Sequence, residues 1–146
     1  AMRWIGHGRL SVASYSLGVA QSMLDLAVDH SRQRETFGKP ISDRQAVQWM
    51  LVESAMEIYA GRGMIHHAAW MADEGIEFRK EAAMAKVHCT EMAARVVDRA
   101  LQIHGGMGYT KELPIERHYR DLRHNRISEG TSEILRFLIA RELLRS

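Results

Sequence analysis

The stretch RLSVASYSLGVAQSMLDLA, residues 9–27, decides the fold class. Apolar residues recur in it at every third or fourth position: Leu10, Ala13, Leu17, Ala20, Leu24 and Ala27. This spacing places them on one side of an α-helix for about five turns. We therefore predict a long first helix that runs from Arg9 towards Arg32.

A second long helix is predicted after a break in the pattern. Gly38 and Pro40 indicate a loop. Ser42 or Asp43 is expected to cap the helix that follows, because short polar side chains accept hydrogen bonds from a first helical turn. The apolar stripe of this helix ends at a turn in residues 73–75.

Three more helices are predicted beyond this turn. A long one ends at three glycines within residues 105–108, Pro114 opens a short charged one, and a helix with apolar residues every three or four positions closes the chain. We predict these helices over residues 77–104, 115–122 and 131–144.

The sequence thus predicts an all-α fold, an up-down four-helix bundle with a short extra helix. The low proline content, two residues in 146, and the near absence of alternating β-branched residues agree with this fold class. No repeat or second domain is visible, so residues 1–146 are expected to form one domain. Small residues lie on more than one face of the long helices, which indicates several packing partners, a second subunit among them.

Composition argues against several function classes. The net charge is +2 without an arginine-rich run, so no nucleic-acid partner is expected. No window approaches 18 uncharged apolar residues, so no membrane span is expected. The single Cys89 excludes an intrachain disulfide, indicates a reducing compartment and is expected to be a small buried residue. His66 and His67 diverge on a helix, so no metal site is predicted.

Residues 127–134, Ile-Ser-Glu-Gly-Thr-Ser-Glu-Ile, place one carboxylate at the entrance of the last helix. Gly130 tolerates backbone angles that other residues resist, and Thr131 or Ser132 can cap the first turn. An enzyme that needs one well-placed base could present Glu129 in this way. An ordinary capped helix has the same pattern, and both interpretations stay open on these residues alone.

Two other segments carry chemistry at helix ends. Arg34 offers a planar fork for a phosphate or carboxylate and Phe37 a ring for stacking. Taken alone, these residues favour the alternative of a helix-dipole partner and a core plug. The glycine-rich residues 102–108 follow a helix, whereas dinucleotide and P-loop motifs follow a strand. They predict either a glycine cap or close approach of a ligand to the backbone.

Taken in order, these motifs closely resemble the C-terminal helical domain of the acyl-CoA dehydrogenases over essentially the whole chain. They are Arg34-x-Thr36-Phe37-Gly38-Lys39, Gln45-Ala46, Gln102-x-x-Gly105-Gly106-x-Gly108-Tyr109, Arg120-Asp121, Glu129-Gly130-Thr131-Ser132-Glu133-Ile134 and Ala140-Arg141-Glu142. The resemblance implies a three-domain flavoprotein, whose N-terminal helical domain and middle β-domain lie outside these residues.

The resemblance implies that Glu129 is the catalytic base, which removes the α-proton of an acyl-CoA thioester while a β-hydride passes to flavin N5. It places Arg9 and Gly130 at the acyl-CoA pocket, where the backbone N–H of the base helps to hold the enolate oxygen. Gly8 stands where one branch of the family carries its base, which favours Glu129 here. We expect Glu129 to be buried, in a groove between the first helix and the triple-glycine turn.

The resemblance also implies FAD as the cofactor. Arg34 and Phe37 match residues that contact the flavin of a neighbouring subunit, and further residues match other contacts of the shared site: Gln45, Gln102, Gly105 and Gly106 around it, and Thr131 and Glu133 beside the adenosine part. A homo-oligomer, dimer or tetramer, is therefore expected.

An electron-transferring flavoprotein is the partner that the resemblance implies, in the bacterial cytoplasm or the mitochondrial matrix. An acyl-CoA oxidase, which passes electrons to oxygen, and a non-catalytic bundle that serves assembly are the alternatives. Many members carry an aspartate where this chain has Gly6, so the acyl preference stays open. We expect these 146 residues alone to bind FAD weakly and to have no turnover.

Overall fold

The computed structural model describes residues 2–145, with side chains from residue 6 onwards. Six helices and a small hairpin follow one another along the chain: α1 (Met2–Gln33), β1 (Glu35–Thr36), β2 (Lys39–Pro40), a 3₁₀ turn (Ile41–Asp43), α2 (Gln45–Asp73), α3 (Arg79–His104), α4 (Gly106–Tyr109), α5 (Ile115–Asn125) and α6 (Ser132–Leu143). The predicted all-α class is confirmed.

Helix α1 begins earlier than predicted, at Met2 instead of Arg9. Gly6 and Gly8 weaken the helical propensity of its first turns. Packing compensates, since Gly6 is buried beneath the ring of Phe78, which is 3% exposed. Tertiary contact thus extends the helix beyond the apolar stripe.

The predicted loop at residues 37–40 is a two-stranded hairpin. Glu35 pairs with Pro40 and Thr36 with Lys39. The two central residues both have positive φ, 51° for Phe37 and 75° for Gly38, as a two-residue type I′ connection requires. A strand of two residues is too short to show an alternation of apolar and polar side chains, so the sequence pattern could not reveal these strands.

The predicted cap of the second helix is wrong. Ser42 and Asp43 belong to the 3₁₀ turn, and α2 begins at Gln45 behind Arg44, which makes no side-chain cap. The guanidinium of Arg44 instead donates to the carbonyl oxygen of Thr36 at 2.7 Å and holds the hairpin. The predicted end of the helix at Asp73 is confirmed, and Gly75 takes a positive φ of 74° in the turn that follows.

Helix α3 is the centre of the bundle, because it contacts α1, α2, α5 and α6. Small buried residues around its circumference allow this: Ala82, Ala83, Ala85, Cys89, Ala93 and Ala100. Cys89 is fully buried, as predicted, and burial raises the pKa of its thiol to about 12. Gly61 of α2 packs against this thiol, since a Cβ atom at Gly61 would lie 3.0 Å from Sγ of Cys89.

The outer face of α2 remains apolar and exposed. It presents large side chains to solvent: Trp49, Val52, Met56, Tyr59, Met64 and Trp70. An exposed apolar face of this kind is typical of a surface that another chain or domain covers. Within residues 2–145, no helix combines the length and hydropathy that crossing a membrane requires.

Candidate functional site

The predicted site residues form two groups at opposite ends of α1. The first, here called the base end, consists of Arg9 and residues 129–133, to which the structure adds Gly8 and Lys86. The second, the glycine-turn end, consists of Arg34, Phe37, Gln45, Gln102, Gly105 and Gly106. At this second end the ring of His104 stacks on His30 at a centroid distance of 4.2 Å.

The separation of the two groups follows from helix geometry. Gly8 and His30 are 22 residues apart on α1, which corresponds to about 33 Å at 1.5 Å per residue. Glu129 lies at the Gly8 end and the triple-glycine turn at the His30 end. The prediction that Glu129 lies in a groove between the first helix and the triple-glycine turn is therefore wrong for a single chain.

A left-handed turn presents Glu129 ahead of α6. Glu129 has a φ of 54° and Gly130 a φ of 97°. Positive φ is unfavourable for a residue with a side chain, and such conformations concentrate at functional sites. Thr131 then caps α6, because its hydroxyl oxygen accepts a hydrogen bond from the backbone N–H of Ile134 at 3.3 Å. The predicted capping by Thr131 is confirmed.

Buried contacts hold both flanks of this turn. Asn125, at the end of α5, donates to the hydroxyl of Ser16 on α1 at 3.0 Å. The backbone N–H of Ser132 donates to the carbonyl oxygen of Arg126 at 3.2 Å. Leu135, which is fully buried, lies directly under Gly130. The turn is thus tied to α1 and anchored on the first turn of α6.

The Glu129 carboxylate lies over Gly8 on α1. A Cβ atom at position 8 would be 2.9 Å from Oε2 and 3.2 Å from Cδ of Glu129. Glycine therefore leaves the space that the carboxylate occupies. The Glu129 side chain is nevertheless exposed, so the predicted burial is wrong for this chain by itself: no described residue covers its outer side.

Arg9 lies next to this carboxylate in the interior. Its side chain is buried, and its Nε and Nη1 have no hydrogen-bond partner among the described residues. Burial lowers the pKa of Arg9, the charge of Arg79 lowers it further, and the charge of Glu129 opposes both. Donors left unpaired in the interior are costly, so this end of the bundle has capacity for an acceptor.

Lys86 on α3 is a member of this group that the sequence analysis missed. It is 0% exposed, and its Nζ donates to the carbonyl oxygen of Gly130 at 2.7 Å. Burial is the main cause that lowers the pKa of Lys86, followed by the charge of Arg9, while Glu129 is the main opposing charge. The sequence pattern that could have indicated its burial is the spacing: Lys86 follows Ala82 by four residues, which places it on the same buried side of α3.

Charged residues on the outer side fasten α6 to α3. Glu91 accepts a hydrogen bond from Arg136 at 2.7 Å and lies 3.9 Å from Arg126. The hydrogen bond from Arg136 is the main cause that lowers the pKa of Glu91. Glu133 is exposed in the first turn of α6, where its own backbone N–H and then the Thr131 hydroxyl lower its pKa.

The glycine-turn end displays its side chains to solvent. Phe37 is 97% exposed at the tip of the hairpin, so the alternative of a core plug is wrong. Arg34 is exposed as well. The guanidinium of Arg44 lies 5.8 Å from the centroid of the Phe37 ring, which supports the ring from one side.

The glycines of the triple-glycine turn have different roles. Gly105 ends α3 with a φ of 59°, and its N–H donates to the carbonyl oxygen of Gln102. Gly108 packs closely, since a Cβ there would lie 2.8 Å from the carbonyl oxygen of Leu101. Gly106 has open space around it. Two glycines are thus needed for the turn itself, and Gly106 leaves its backbone accessible beside the exposed Gln102.

A separate open groove of about 840 Å³ lies between α3 and α5. Its lining includes Arg95, Arg99, Tyr119, Arg120 and Arg123. Ion pairs with glutamates engage several of these arginines. None of the predicted site residues lines this groove.

A family model described as the C-terminal domain of acyl-CoA dehydrogenases matches residues 1–144 of the chain. The chain belongs to the acyl-CoA dehydrogenase family. A probable acyl-CoA dehydrogenase of Bacillus subtilis, YngJ, is 49% identical over 138 residues, which are 94% of this chain and 36% of that protein. The mitochondrial short-chain specific acyl-CoA dehydrogenase of Bos taurus is 46% identical over 146 residues, all of this chain and 35% of that protein.

The chain also has the three-dimensional fold of this family. The solved structure of butyryl-CoA dehydrogenase from Megasphaera elsdenii matches with a TM-score of 0.96 and 40% identity over 99% of this chain and 38% of that chain. This acyl-CoA dehydrogenase domain therefore spans about a third of the length of the relatives that it matches.

Proposed function

We propose that this chain supplies the catalytic base and part of the cofactor site of an FAD-dependent acyl-CoA dehydrogenase. Residues 1–146 would be its C-terminal domain, and the remainder of a polypeptide of the relatives' length would contribute the other walls of the site. One observation carries the proposal: the Glu129 carboxylate lies over Gly8 on a left-handed turn, beside the buried cations of Arg9 and Lys86.

The arrangement suits removal of a weakly acidic proton next to a thioester carbonyl. Such a base must be held close to the α-carbon, and the negative charge that develops on the carbonyl oxygen needs a donor. The backbone N–H groups around Glu129 and Gly130 belong to the same turn as the carboxylate. Glu129 would take the α-proton, and bound FAD would supply the hydride acceptor for the β-hydrogen. The product is an α,β-unsaturated thioester.

The site residues fit FAD in two parts. At the base end, the Thr131 hydroxyl and the exposed Glu133 stand at the start of α6. At the glycine-turn end, Arg34 offers a charged fork for a pyrophosphate and Phe37 an exposed ring. These residues are of the types that hold a dinucleotide.

The distance between the two ends supports a homo-oligomer. An extended FAD molecule is shorter than the separation of about 33 Å along α1, so both ends can serve one cofactor only if they come from two chains. The exposed apolar face of α2 offers a surface for such an assembly. We propose a dimer or tetramer in which each cofactor contacts the base end of one chain and the glycine-turn end of another.

Electrons would leave to an electron-transferring flavoprotein, in the bacterial cytoplasm or the mitochondrial matrix. An oxidase would instead pass them to oxygen. Reoxidation of the substrate-reduced enzyme separates the two: under argon, an added electron-transferring flavoprotein restores the flavin absorbance of a dehydrogenase. Air alone restores that of an oxidase at catalytic rates.

The base assignment is tested with Glu129→Gln in an enzyme of full family length that contains this domain. We expect the variant to retain its yellow cofactor and to lose the bleaching of the flavin by acyl-CoA under anaerobic conditions. Glu53→Gln, at an exposed glutamate of α2 outside both groups, is the matched control and should still bleach. Bleaching of Glu129→Gln at the wild-type rate would remove this residue from the role. A panel of acyl-CoA thioesters in the same assay identifies the preferred acyl group.

The 146 residues alone are expected to bind FAD weakly and to lack turnover. Glu129 is exposed on one side and the two ends of one chain do not meet, so neither a closed substrate pocket nor a whole cofactor site exists within one copy. Isothermal titration of the chain with FAD checks this. Stoichiometric binding with submicromolar affinity would contradict it.

A further inference from the structure

We propose that Lys86 is a positioning residue for the base: its buried ammonium group fixes the Gly130 carbonyl and thereby the turn that directs Glu129 towards Gly8. This inference rests on the proposed function, since it assigns Lys86 a part in the reaction for which Glu129 is the base. Lys86 does not touch the reacting atoms and acts only through the turn.

The burial of Lys86 needs an explanation. Its side chain is 0% exposed on a helix whose neighbouring buried positions are alanines such as Ala82 and Ala83. Removing an ammonium group from water is costly unless it is well paired. Packing alone would be served by an apolar residue of similar length, such as methionine. The charged group therefore makes an interaction that an apolar side chain would lose.

That interaction is the hydrogen bond of 2.7 Å from Nζ to the carbonyl oxygen of Gly130. A hydrogen bond from a charged donor is stronger than a neutral one. The carbonyl belongs to the residue directly after Glu129, where the backbone has two successive positive φ angles. Glycine can leave this conformation at little cost. A fixed carbonyl removes that freedom, and the conformation of the turn determines where the Glu129 side chain points.

The charges around Lys86 favour the same arrangement. The charge of Arg9 opposes the ammonium, while Glu129, Glu133 and Glu91 are the carboxylates whose charges support it. The cations lie in the interior and Glu129 lies on the outer side of the turn, towards Gly8. The ammonium thus attracts the carboxylate as well as the carbonyl.

The experiment uses the full-length enzyme and compares Lys86→Met, Lys86→Gln and Lys86→Arg by anaerobic stopped flow. Methionine keeps the length of the side chain and removes the donor. We expect the rate of flavin bleaching to fall by about 10²-fold, because a displacement of about 1 Å at a reacting group has such an effect. Flavin content and KM should stay near the wild-type values. Lys86→Arg retains a charged donor and should recover most of the rate, and Lys86→Gln should lie between them.

The matched control is Thr90→Val. Thr90 is 0% exposed one turn further along α3, and its hydroxyl donates to the carbonyl oxygen of Lys86 at 2.9 Å. This variant loses a buried hydrogen bond without touching the turn, so its bleaching rate should be unchanged. If Thr90→Val and Lys86→Met slow bleaching equally, Lys86 has only a structural role and the proposal is overturned.

A second measurement tests the proposal even if Lys86→Met folds poorly. Hydrogen exchange of the peptide that contains residues 126–131 should accelerate in Lys86→Gln, while exchange in α1 stays as in the wild type. Unchanged exchange in this peptide would overturn the positioning role. Glu129→Gln, measured alongside, separates the two proposals. If it bleaches normally, the proposed function fails; if it does not bleach while Lys86→Met and Lys86→Gln bleach normally, only the role of Lys86 fails.

Discussion

The base end and the glycine-turn end differ in how much of their structure this chain supplies. At the base end, Lys86 is 0% exposed and holds the turn that carries Glu129. At the glycine-turn end, Phe37 is 97% exposed and Arg34 also faces solvent. One end is organised by contacts within the chain, and the other displays side chains that a second molecule would have to cover.

The difference matches the demands of the proposed roles. A base must be held within a fraction of an ångström of its target, which requires support from neighbouring buried groups. A surface that contacts part of a large cofactor from outside needs shape and charge more than precision. Most of the glycines reflect this contrast: Gly6 and Gly8 are in close contact with other side chains, whereas Gly38, Gly105 and Gly106 have open space around them. Gly108, which packs on the backbone of α3, is the exception.

Among substitutions that compare the two ends through their glycines and exposed rings, Gly8→Ala should have the largest effect. A Cβ there would lie 2.9 Å from Oε2 of Glu129, and the exposed carboxylate would move aside. We expect the bleaching rate of the full-length enzyme to fall by about 10²-fold. Its stability should be unchanged or raised by up to about 1 kcal/mol, because alanine favours a helix over glycine.

Gly18→Ala is the control for this substitution. Gly18 lies on the same helix and has nothing within 4 Å of a Cβ atom. Gly18→Ala should raise the stability, because alanine favours a helix over glycine, and should leave the rate of flavin bleaching unchanged. Thermal unfolding and stopped-flow measurements would show the two results. A fully active Gly8→Ala variant would contradict the contact between Glu129 and α1.

The next effect concerns stability. In Gly6→Ala a Cβ would lie 2.8 Å from the Phe78 ring, which is buried and packs edge-on against His7 at 5.4 Å. Overpacking costs about 1–3 kcal/mol and the helical preference of alanine returns about 1 kcal/mol. We expect a net loss of about 1 kcal/mol in the free energy of unfolding.

The comparison variant for this prediction is Gly106→Ala at the glycine-turn end. Its open surroundings predict a stability within about 0.5 kcal/mol of the wild type. Denaturant titration of both variants measures the difference. An equal loss at the two positions would show that Gly106 is as tightly packed as Gly6.

The long helices and the members of the base end could be predicted to different degrees. Apolar spacing is a local signal, so it located α2, α3, α6 and the end of α1 within a few residues, but it placed the start of α1 at Arg9 instead of Met2. Lys86 was missed because a charged residue on a helix is ordinarily assigned to solvent, and burial depends on what the other helices bring to it. The exposure of Glu129 was missed because a motif does not report which walls of a site its own chain provides.

The arrangement of the two ends could not be read from the order of the motifs. Glu129 and Gly105 are 24 residues apart in the chain, closer than Glu129 and Gly8. The fold nevertheless places Glu129 on Gly8 and the triple-glycine turn near His30. The direction of α5 between them decides this, and helical periodicity gives the extent of a helix without its direction.

A smaller effect is expected for Phe37→Ala. Phe37 is almost fully exposed, so the stability of the fold should not change. If its ring stacks on a cofactor held by a neighbouring copy, the affinity of the full-length enzyme for FAD should fall about fivefold, the equivalent of about 1 kcal/mol for one aromatic contact. Fluorescence titration of the apoenzyme with FAD measures this.

Phe137→Ala provides the matched control. Phe137 on α6 is 62% exposed and has an arginine, Arg141, 5.8 Å from its ring centroid, as Phe37 has Arg44. Its loss should leave the affinity for FAD unchanged. Equal affinities for wild type and Phe37→Ala would mean that the exposed hairpin tip serves something other than the cofactor.

The smallest effect concerns the pH dependence of the attachment between α6 and α3. The hydrogen bond from Arg136 lowers the pKa of Glu91 from its ordinary value of 4.5. A carboxyl group with a lowered pKa stabilises the fold above its unfolded pKa, and this contribution is lost as the pH falls through the folded value. Arg136 is 54% exposed, so solvent screening limits the contribution to about 0.5 kcal/mol.

Glu91→Gln should therefore lower the free energy of unfolding by about 0.5 kcal/mol at pH 7, and the difference from the wild type should shrink as the pH falls below 4.5. Denaturant titrations at pH 7 and in the acid range measure it. Glu116→Gln, which removes the partner of the 65% exposed Arg120 on α5, is the control and should change less. A Glu91 effect that is constant with pH would indicate lost packing instead of lost charge, because only the ionised carboxylate gains from Arg136.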